Sequence, residues 1–210
     1  MIRLALTKGR IEQKAVAILE ACGYDVSELR DKGRKLLFRC GNLEVVLAKA
    51  ADVITYVDHG TCDVGIVGRD TVMEMGGDFY ELLDLGFGKC RFALAGIKGK
   101  NFYEGYGHKV IATKYPNVTK KYFSAKNVEC EIVKIEGSVE LAPVLGLADA
   151  IVDIVETGTT LKENGLEVYE DIAPISARCI VNAAALKMKN REIGEFLDRL
   201  PAEVIGNETV

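Results

Sequence analysis

The sequence predicts an α/β fold in two lobes, with mixed, mostly parallel sheets. Three observations carry this. Short β-branched or aliphatic runs alternate with amphipathic stretches along almost the whole chain. The run Asp149-Ala150-Ile151-Val152-Asp153-Ile154-Val155 is nearly continuous in apolar residues, which is the pattern of a central strand covered on both faces. Two segments, 98–108 and 170–178, interrupt the alternation as a glycine-rich loop and an extended crossing. A chain entering a second lobe near 89 and returning near 176 makes lobe I of residues 1–88 plus 176–210 and lobe II of residues 89–175. A ligand is then expected in the cleft between the lobes.

The elements follow in order. Residues 2–6 are an apolar strand. Residues 10–22 are a helix, because Ile11, Ala15, Ile18 and Leu19 fall on one face and Gly23 ends it. Residues 36–39 and 44–48 form a hairpin around Gly41-Asn42. A helix over 49–58 leads through His59-Gly60 to the strand Val64-Gly65-Ile66-Val67, and Gly68-Arg69-Asp70 opens the next helix, with Asp70 read as its cap. Strands are expected near 91–97, 109–113 and 129–135, with a helix at 116–126 before the last. A helix near 138–147 starts at Ser138 and Glu140, which resemble ordinary capping residues. The strand 179–185 and a helix near 188–199 complete the chain.

With 210 residues, 49% of them hydrophobic, the chain can build one large core or two small ones. Lys and Arg number 27 against 31 Asp and Glu, and a formal net charge of -4 argues against a nucleic-acid protein. No apolar run has membrane-spanning length, and charge breaks the start after a few apolar residues, so neither a membrane segment nor a signal peptide is expected. Six scattered cysteines without a C-x-x-C pair, and two histidines, argue against a zinc site. The cysteines read as small buried hydrophobes in a reducing, cytoplasmic setting.

The stretch 149–161 says most about chemistry. An apolar strand feeds Glu156-Thr157-Gly158-Thr159-Thr160, which supplies hydroxyls and unobstructed backbone N–H groups at a helix start. That is a cradle for a phosphate monoester, and the acids beside it suit sugar hydroxyls or a divalent cation carried in by the ligand. Asp149 and Asp153 sit in an apolar setting, where acids are seldom left without a reason. Thr7-Lys8-Gly9-Arg10 follows the first strand and is either a solvated basic turn or an anion site at a strand's carboxyl end. Gly33-Arg34-Lys35 is either a charged loop before an edge strand or a phosphate contact through Arg34.

Taken together, Leu4–Arg10, Asp63–Asp70, Ala112–Pro116 and Asp149–Leu161 resemble the ATP phosphoribosyltransferase family in its short form, in order along nearly the whole chain. The resemblance implies the two-lobed fold of periplasmic binding proteins and the first step of histidine biosynthesis. In that step N1 of ATP attacks the anomeric carbon of phosphoribosyl pyrophosphate, and pyrophosphate leaves with the help of Mg²⁺. It implies no metal ligands on the chain itself, since Mg²⁺ arrives with substrate. It implies a separate regulatory subunit resembling histidyl-tRNA synthetase and a homodimer within a hetero-oligomer, because the chain stops at Val210, before the histidine-binding domain of long-form members. With this resemblance Arg10 and Arg34 are the expected catalytic cations. Lys8, Gly9, Arg10, Arg34 and Asp70 are expected at ATP, and Ser138, Asp153, Glu156, Thr157, Gly158, Thr159 and Thr160 at phosphoribosyl pyrophosphate. The rival readings are a two-lobed binding protein without catalysis and a different transferase using the same sugar donor.

Overall fold

Twelve strands and nine helices alternate along the residues that the computed structural model describes, 1–105, 107–201 and 203–204. The chain begins β1 (Ile2–Thr7), α1 (Arg10–Ala21), α2 (Ser27–Arg30), β2 (Leu37–Cys40), β3 (Leu43–Ala48), α3 (Ala50–Asp58), β4 (Val64–Gly68), α4 (Arg69–Met75) and β5 (Phe79–Asp84). It continues β6 (Cys90–Ile97), β7 (Lys109–Thr113), α5 (Pro116–Ala125), β8 (Cys130–Lys134), α6 (Leu141–Val144), β9 (Ala150–Val155), α7 (Thr159–Glu163) and β10 (Leu166–Ile175). It ends β11 (Ala177–Asn182), α8 (Ala183–Met188), α9 (Asn190–Leu197) and β12 (Glu203–Val204). Two compact units result: Met1–Gly88 with the chain from Ser176 onward, and Lys89–Ile175.

The first unit is built on a sheet of order β12-β5-β11-β4-β1-β3-β2. Successive side chains of a strand point to opposite faces, and β1 shows it. Leu4 and Leu6 enter the core that contains Leu19, Phe38 and Phe196, whereas Ala5 joins Val53, Val57 and Ile180 on the other face. Helix α3 lies directly on β4. A Cβ on Gly65 would stand 2.8 Å from Val57 Cγ2 and 3.0 Å from both Val53 Cγ1 and Ile180 Cγ1.

The second unit has the order β10-β6-β9-β7-β8. Strand β9 is central, parallel to β7 and antiparallel to β6. Ala93, Ala112, Ile151 and Leu161 fill one face of this sheet.

Both sheets are mixed, but parallel pairing is the minority, at four of the ten strand pairings among the described residues. Alternating elements predict parallel neighbours only where a helix crosses between them. Segment 170–178, expected as an extended crossing, is largely the strand β10, which pairs antiparallel with β6, and β11 inserts antiparallel between β4 and β5. Other boundaries move for local reasons. The helix expected over 138–147 shrinks to α6, because Gly146 at φ 75° closes it: its N–H bonds Pro143 O and the Leu147 N–H bonds Ala142 O. The strand expected over 179–185 stops at Asn182, whose Oδ1 accepts the Ala185 N–H at 2.8 Å and so starts α8. The expected helix 188–199 divides at Lys189, which leaves helical geometry at φ -122° and ψ 31°.

Gly65→Ala is expected to destabilise the chain by about 1–3 kcal/mol, the usual cost of forcing a methyl into a filled core. Urea denaturation followed by circular dichroism measures it, and an unchanged midpoint would mean that α3 gives way freely.

Candidate active site

In the second unit, β7, β8 and β9 run parallel, so the turns after them collect at one end of the sheet. After Val155 the chain turns through Gly158, at φ 77° and ψ 5°, into α7. Only glycine takes that left-handed geometry without strain. The Thr157 hydroxyl oxygen accepts the Thr159 N–H at 3.3 Å and lies 2.9 Å from the Thr159 hydroxyl, which holds the turn in register. Asn164 Nδ2 donates to Thr160 O at 2.9 Å and ties the far end of α7 back. Glu156, Thr157, Thr159 and Thr160 are exposed, so the hydroxyls face solvent. Thr113 braces the neighbouring turn. Its hydroxyl donates to Val152 O at 2.7 Å and accepts the Tyr115 N–H at 2.9 Å, which leaves Lys114 between two fixed points. Ser138 follows β8 at this same end; its carbonyl accepts the Leu141 N–H at 3.4 Å, and it is not the cap of α6, which begins three residues later behind Glu140.

Asp153 is the electrostatic oddity. Burial pushes its carboxyl from an ordinary 3.8 up to about 6; the Ile154 N–H opposes the rise, Glu140 adds to it and Lys114 opposes it. Asp149 is a different kind of acid. It precedes β9 at the opposite end of the strand, where its Oδ2 accepts the Val110 N–H and its own N–H donates to Val110 O, both at 2.8 Å. It fastens β9 to β7.

The first unit repeats the arrangement. Strands β1, β3 and β4 are parallel, and β2 runs antiparallel to β3, so the end of β1, the end of β3, the end of β4 and the start of β2 share one edge. Lys8, Gly9 and Arg10 follow β1, with the Lys8 N–H donating to Ala48 O at 2.9 Å and the Thr7 hydroxyl to Ile66 O at 3.0 Å. Gly9 takes φ 98° and ψ -134°, and Arg10 is the first residue of α1. Arg34 stands three residues before β2, exposed. Asp70 is the second residue of α4 and does not cap it: the cap position is Gly68, because the helix starts two residues earlier than a cap at Asp70 implies. A side chain at 68 would meet Asp70 Oδ1 at 2.1 Å, so glycine there leaves room for the carboxylate.

Two lysines without a role from sequence, and Glu140, read from sequence only as a capping residue, complete these edges. Lys49, exposed, follows β3; Lys114 follows β7; Glu140 acts on Asp153. A signal for the lysines was present, since Leu-Ala-Leu-Thr-Lys, Val-Val-Leu-Ala-Lys and Val-Ile-Ala-Thr-Lys are the same apolar strand closed by a cation. Among the described residues no group of three or more His, Cys, Asp or Glu side chains is placed to hold a metal ion.

Two mixed α/β units, each with a cation and a backbone turn at the carboxyl ends of parallel strands, define a two-domain α/β protein. The comparisons with known proteins go further. The family model described as "HisG: ATP phosphoribosyltransferase" matches residues 49–202. An ATP phosphoribosyltransferase of Clostridium kluyveri is 60% identical over 205 residues, covering 97% of this chain and 94% of its own. One from Clostridium acetobutylicum is 59% identical over 201 residues, covering 95% and 94%. A solved structure titled as the HisG:HisZ complex of ATP phosphoribosyl transferase from Thermotoga maritima superposes with TM-score 0.83 at 37% identity, covering 95% of this chain and 96% of that one. The alkanesulfonate-binding protein SsuA of Xanthomonas axonopodis shares the fold alone, at TM-score 0.55 and 9% identity, covering 95% and 71%. The chain belongs to the ATP phosphoribosyltransferase family. Its reaction is that of a pentosyltransferase, moving the phosphoribosyl group from phosphoribosyl pyrophosphate to N1 of ATP as the first step of histidine biosynthesis.

Because the Asp153 carboxyl is raised, the folded chain binds more protons than the unfolded chain between about pH 4 and 6, and stability falls as pH rises through that window. Asp153→Asn is therefore expected to stabilise the chain by about 1–3 kcal/mol at pH 7–8 and by nothing near pH 4. Urea titrations at the two pH values test it, and a gain of equal size at both would contradict the burial argument.

Proposed function

We propose how the residues divide the family's reaction. Thr157, Gly158, Thr159 and Thr160, together with Ser138 from the turn after β8, hold the 5-phosphate of phosphoribosyl pyrophosphate, and Asp153 and Glu156 hold the ribose hydroxyls. Lys8, Gly9, Arg10, Arg34 and Asp70 serve ATP, with Arg10 and Arg34 meeting the negative charge of the departing pyrophosphate. The observation that carries this reading is the left-handed Gly158 turn, which directs exposed threonine hydroxyls and the start of α7 outward from a buried central strand.

The chemistry asks for little proton handling. N1 of adenine carries a lone pair and no proton, so no strong base is required. As the bond to pyrophosphate opens, positive charge grows on the ribose and negative charge on the leaving group. Stabilisation must then come from positioned donors and cations, for which guanidinium is well shaped. Mg²⁺ neutralises phosphate charge when it is bound. Mg²⁺ is proposed to arrive with the substrate rather than to reside on the chain. The protein is further proposed to work in the cytoplasm. No helix among the described residues is long and apolar enough to cross a membrane. It is also proposed to assemble as a homodimer with a regulatory subunit resembling histidyl-tRNA synthetase, the Thermotoga maritima relative being titled as a HisG:HisZ complex.

Formation of product from ATP and phosphoribosyl pyrophosphate, followed by absorbance with and without such a regulatory subunit, tests the assignment. Arg10→Ala is expected to lower kcat by about a hundredfold, the range for one lost charge-stabilising donor, with the melting temperature held. Wild-type turnover in that variant would remove Arg10 from the pyrophosphate. Thr160→Val is expected to weaken phosphoribosyl pyrophosphate binding by about 1–3 kcal/mol. Calorimetry giving an unaltered Kd would count against the threonine cradle.

A further inference from the structure

Four cations crowd the segment between α1 and β2: Arg30, Lys32, Arg34 and Lys35. Three of them are neutralised within the unit. Arg30 pairs with Glu20 and Lys35 with Glu28, each at 2.5 Å and largely exposed, while Lys32 pairs with Glu12. Arg34 makes no ion pair among the described residues.

The Glu12 pair differs from the other two. Glu12 is only 5% exposed, and exposed pairs contribute little where a buried charge must be fully matched. Both of its oxygens are used. Oε2 accepts the Gly9 N–H at 3.2 Å, and Oε1 receives the Lys32 ammonium. Gly9 lies between Lys8 and Arg10, and Lys32 lies two residues before Arg34. A helix cap needs only the first contact. The second reaches 20 residues along the chain, to the turn in which the Lys35 N–H bonds Lys32 O at 3.0 Å and Gly33 takes φ 53°.

We propose that Glu12 is a positioning residue: its buried carboxylate joins the Lys8–Arg10 turn to the Lys32–Arg34 turn, so that Arg10 and Arg34 are presented to one phosphate-bearing ligand as a fixed pair. The proposal rests on the reading of Arg10 and Arg34 given above. In this arrangement the charge of Lys32 is already met by Glu12.

The test uses the full chain in the phosphoribosyl-transfer assay. Glu12→Gln keeps an oxygen for the Gly9 N–H and loses the partner of Lys32; Lys32→Met removes the other end. Each is expected to lower kcat about tenfold or more, with both Michaelis constants within about threefold, because the charge being met grows in the transition state. The double variant should be no worse than either single one. Glu28→Gln, which breaks the exposed Lys35 pair, should leave kcat at the wild-type value. A Lys32→Met enzyme with wild-type kcat, or losses that add in the double variant, would overturn the proposal and leave Glu12 a helix cap. Should Glu12→Gln fail to fold, Lys32→Met decides alone, because that ammonium is half exposed. Arg10→Ala and Arg34→Ala run alongside. If both retain wild-type turnover, the cation reading itself falls and the proposal with it; if they lose turnover while Lys32→Met does not, only the proposal falls.

Discussion

Parallel pairing at the centre of each sheet is the constraint on which everything else depends. When β1, β3 and β4 run the same way, the turn after each must open at the same edge. The same holds for β7, β8 and β9. Residues as far apart in sequence as Lys8, Lys49 and Asp70, or Lys114, Ser138 and Thr160, therefore reach one edge of their own sheet. The antiparallel strands do not interrupt these parallel runs: β11 lies outside β4, and β6, followed by β10, lies outside β9.

What the backbone turns need is supplied locally. Gly9 and Gly158 both take positive φ directly before a helix, and both are followed by residues whose N–H groups have no earlier carbonyl to bond. At Gly9 one such group, the glycine's own, is met by Glu12. At Gly158 the Thr157 hydroxyl meets that of Thr159. A turn that brings its own side-chain acceptor keeps its shape in the absence of ligand, so less order has to be imposed at binding.

The sequence made the parallel core legible because its signals are local. The apolar run ending in Glu-Thr-Gly-Thr-Thr, the helical spacing of Ile11, Ala15, Ile18 and Leu19, and the closing Gly23 each sit in one short window. Strand β5 escaped, since Phe79-Tyr80-Glu81-Leu82-Leu83-Asp84 becomes a strand through pairing with β11, about a hundred residues further on. The four-residue α2 is too short to show a period. The role of Asp149 was equally invisible: next to Ala150 it resembles Asp153, and only the pairing with Val110 tells a strand fastener from a buried acid. Lys49 and Lys114 were legible in principle, as cations closing apolar strands, but that pattern gains meaning only once the strands are known to be parallel.

Glu12 and Asp153 show two answers to one physical problem. Burying a carboxylate is costly unless its charge is met. Glu12 is met twice, by Lys32 and by the Gly9 N–H, so it belongs to the framework. Asp153 is not met in this way: burial raises its carboxyl to about 6, the Ile154 N–H opposes the rise, Glu140 adds to it and Lys114 opposes it. Such an acid weakens the fold at neutral pH and repels any phosphate placed beside it. A chain selected for stability alone would place a valine there, like its neighbours in β9. An under-compensated acid two residues before the end of β9, ahead of the turn proposed to hold the 5-phosphate, makes sense when the missing partners come with the ligand, such as sugar hydroxyls or a chelated cation. On the proposed division of the site, that imbalance suits a ligand that brings an anion to the Gly158 turn and hydroxyl donors to Asp153.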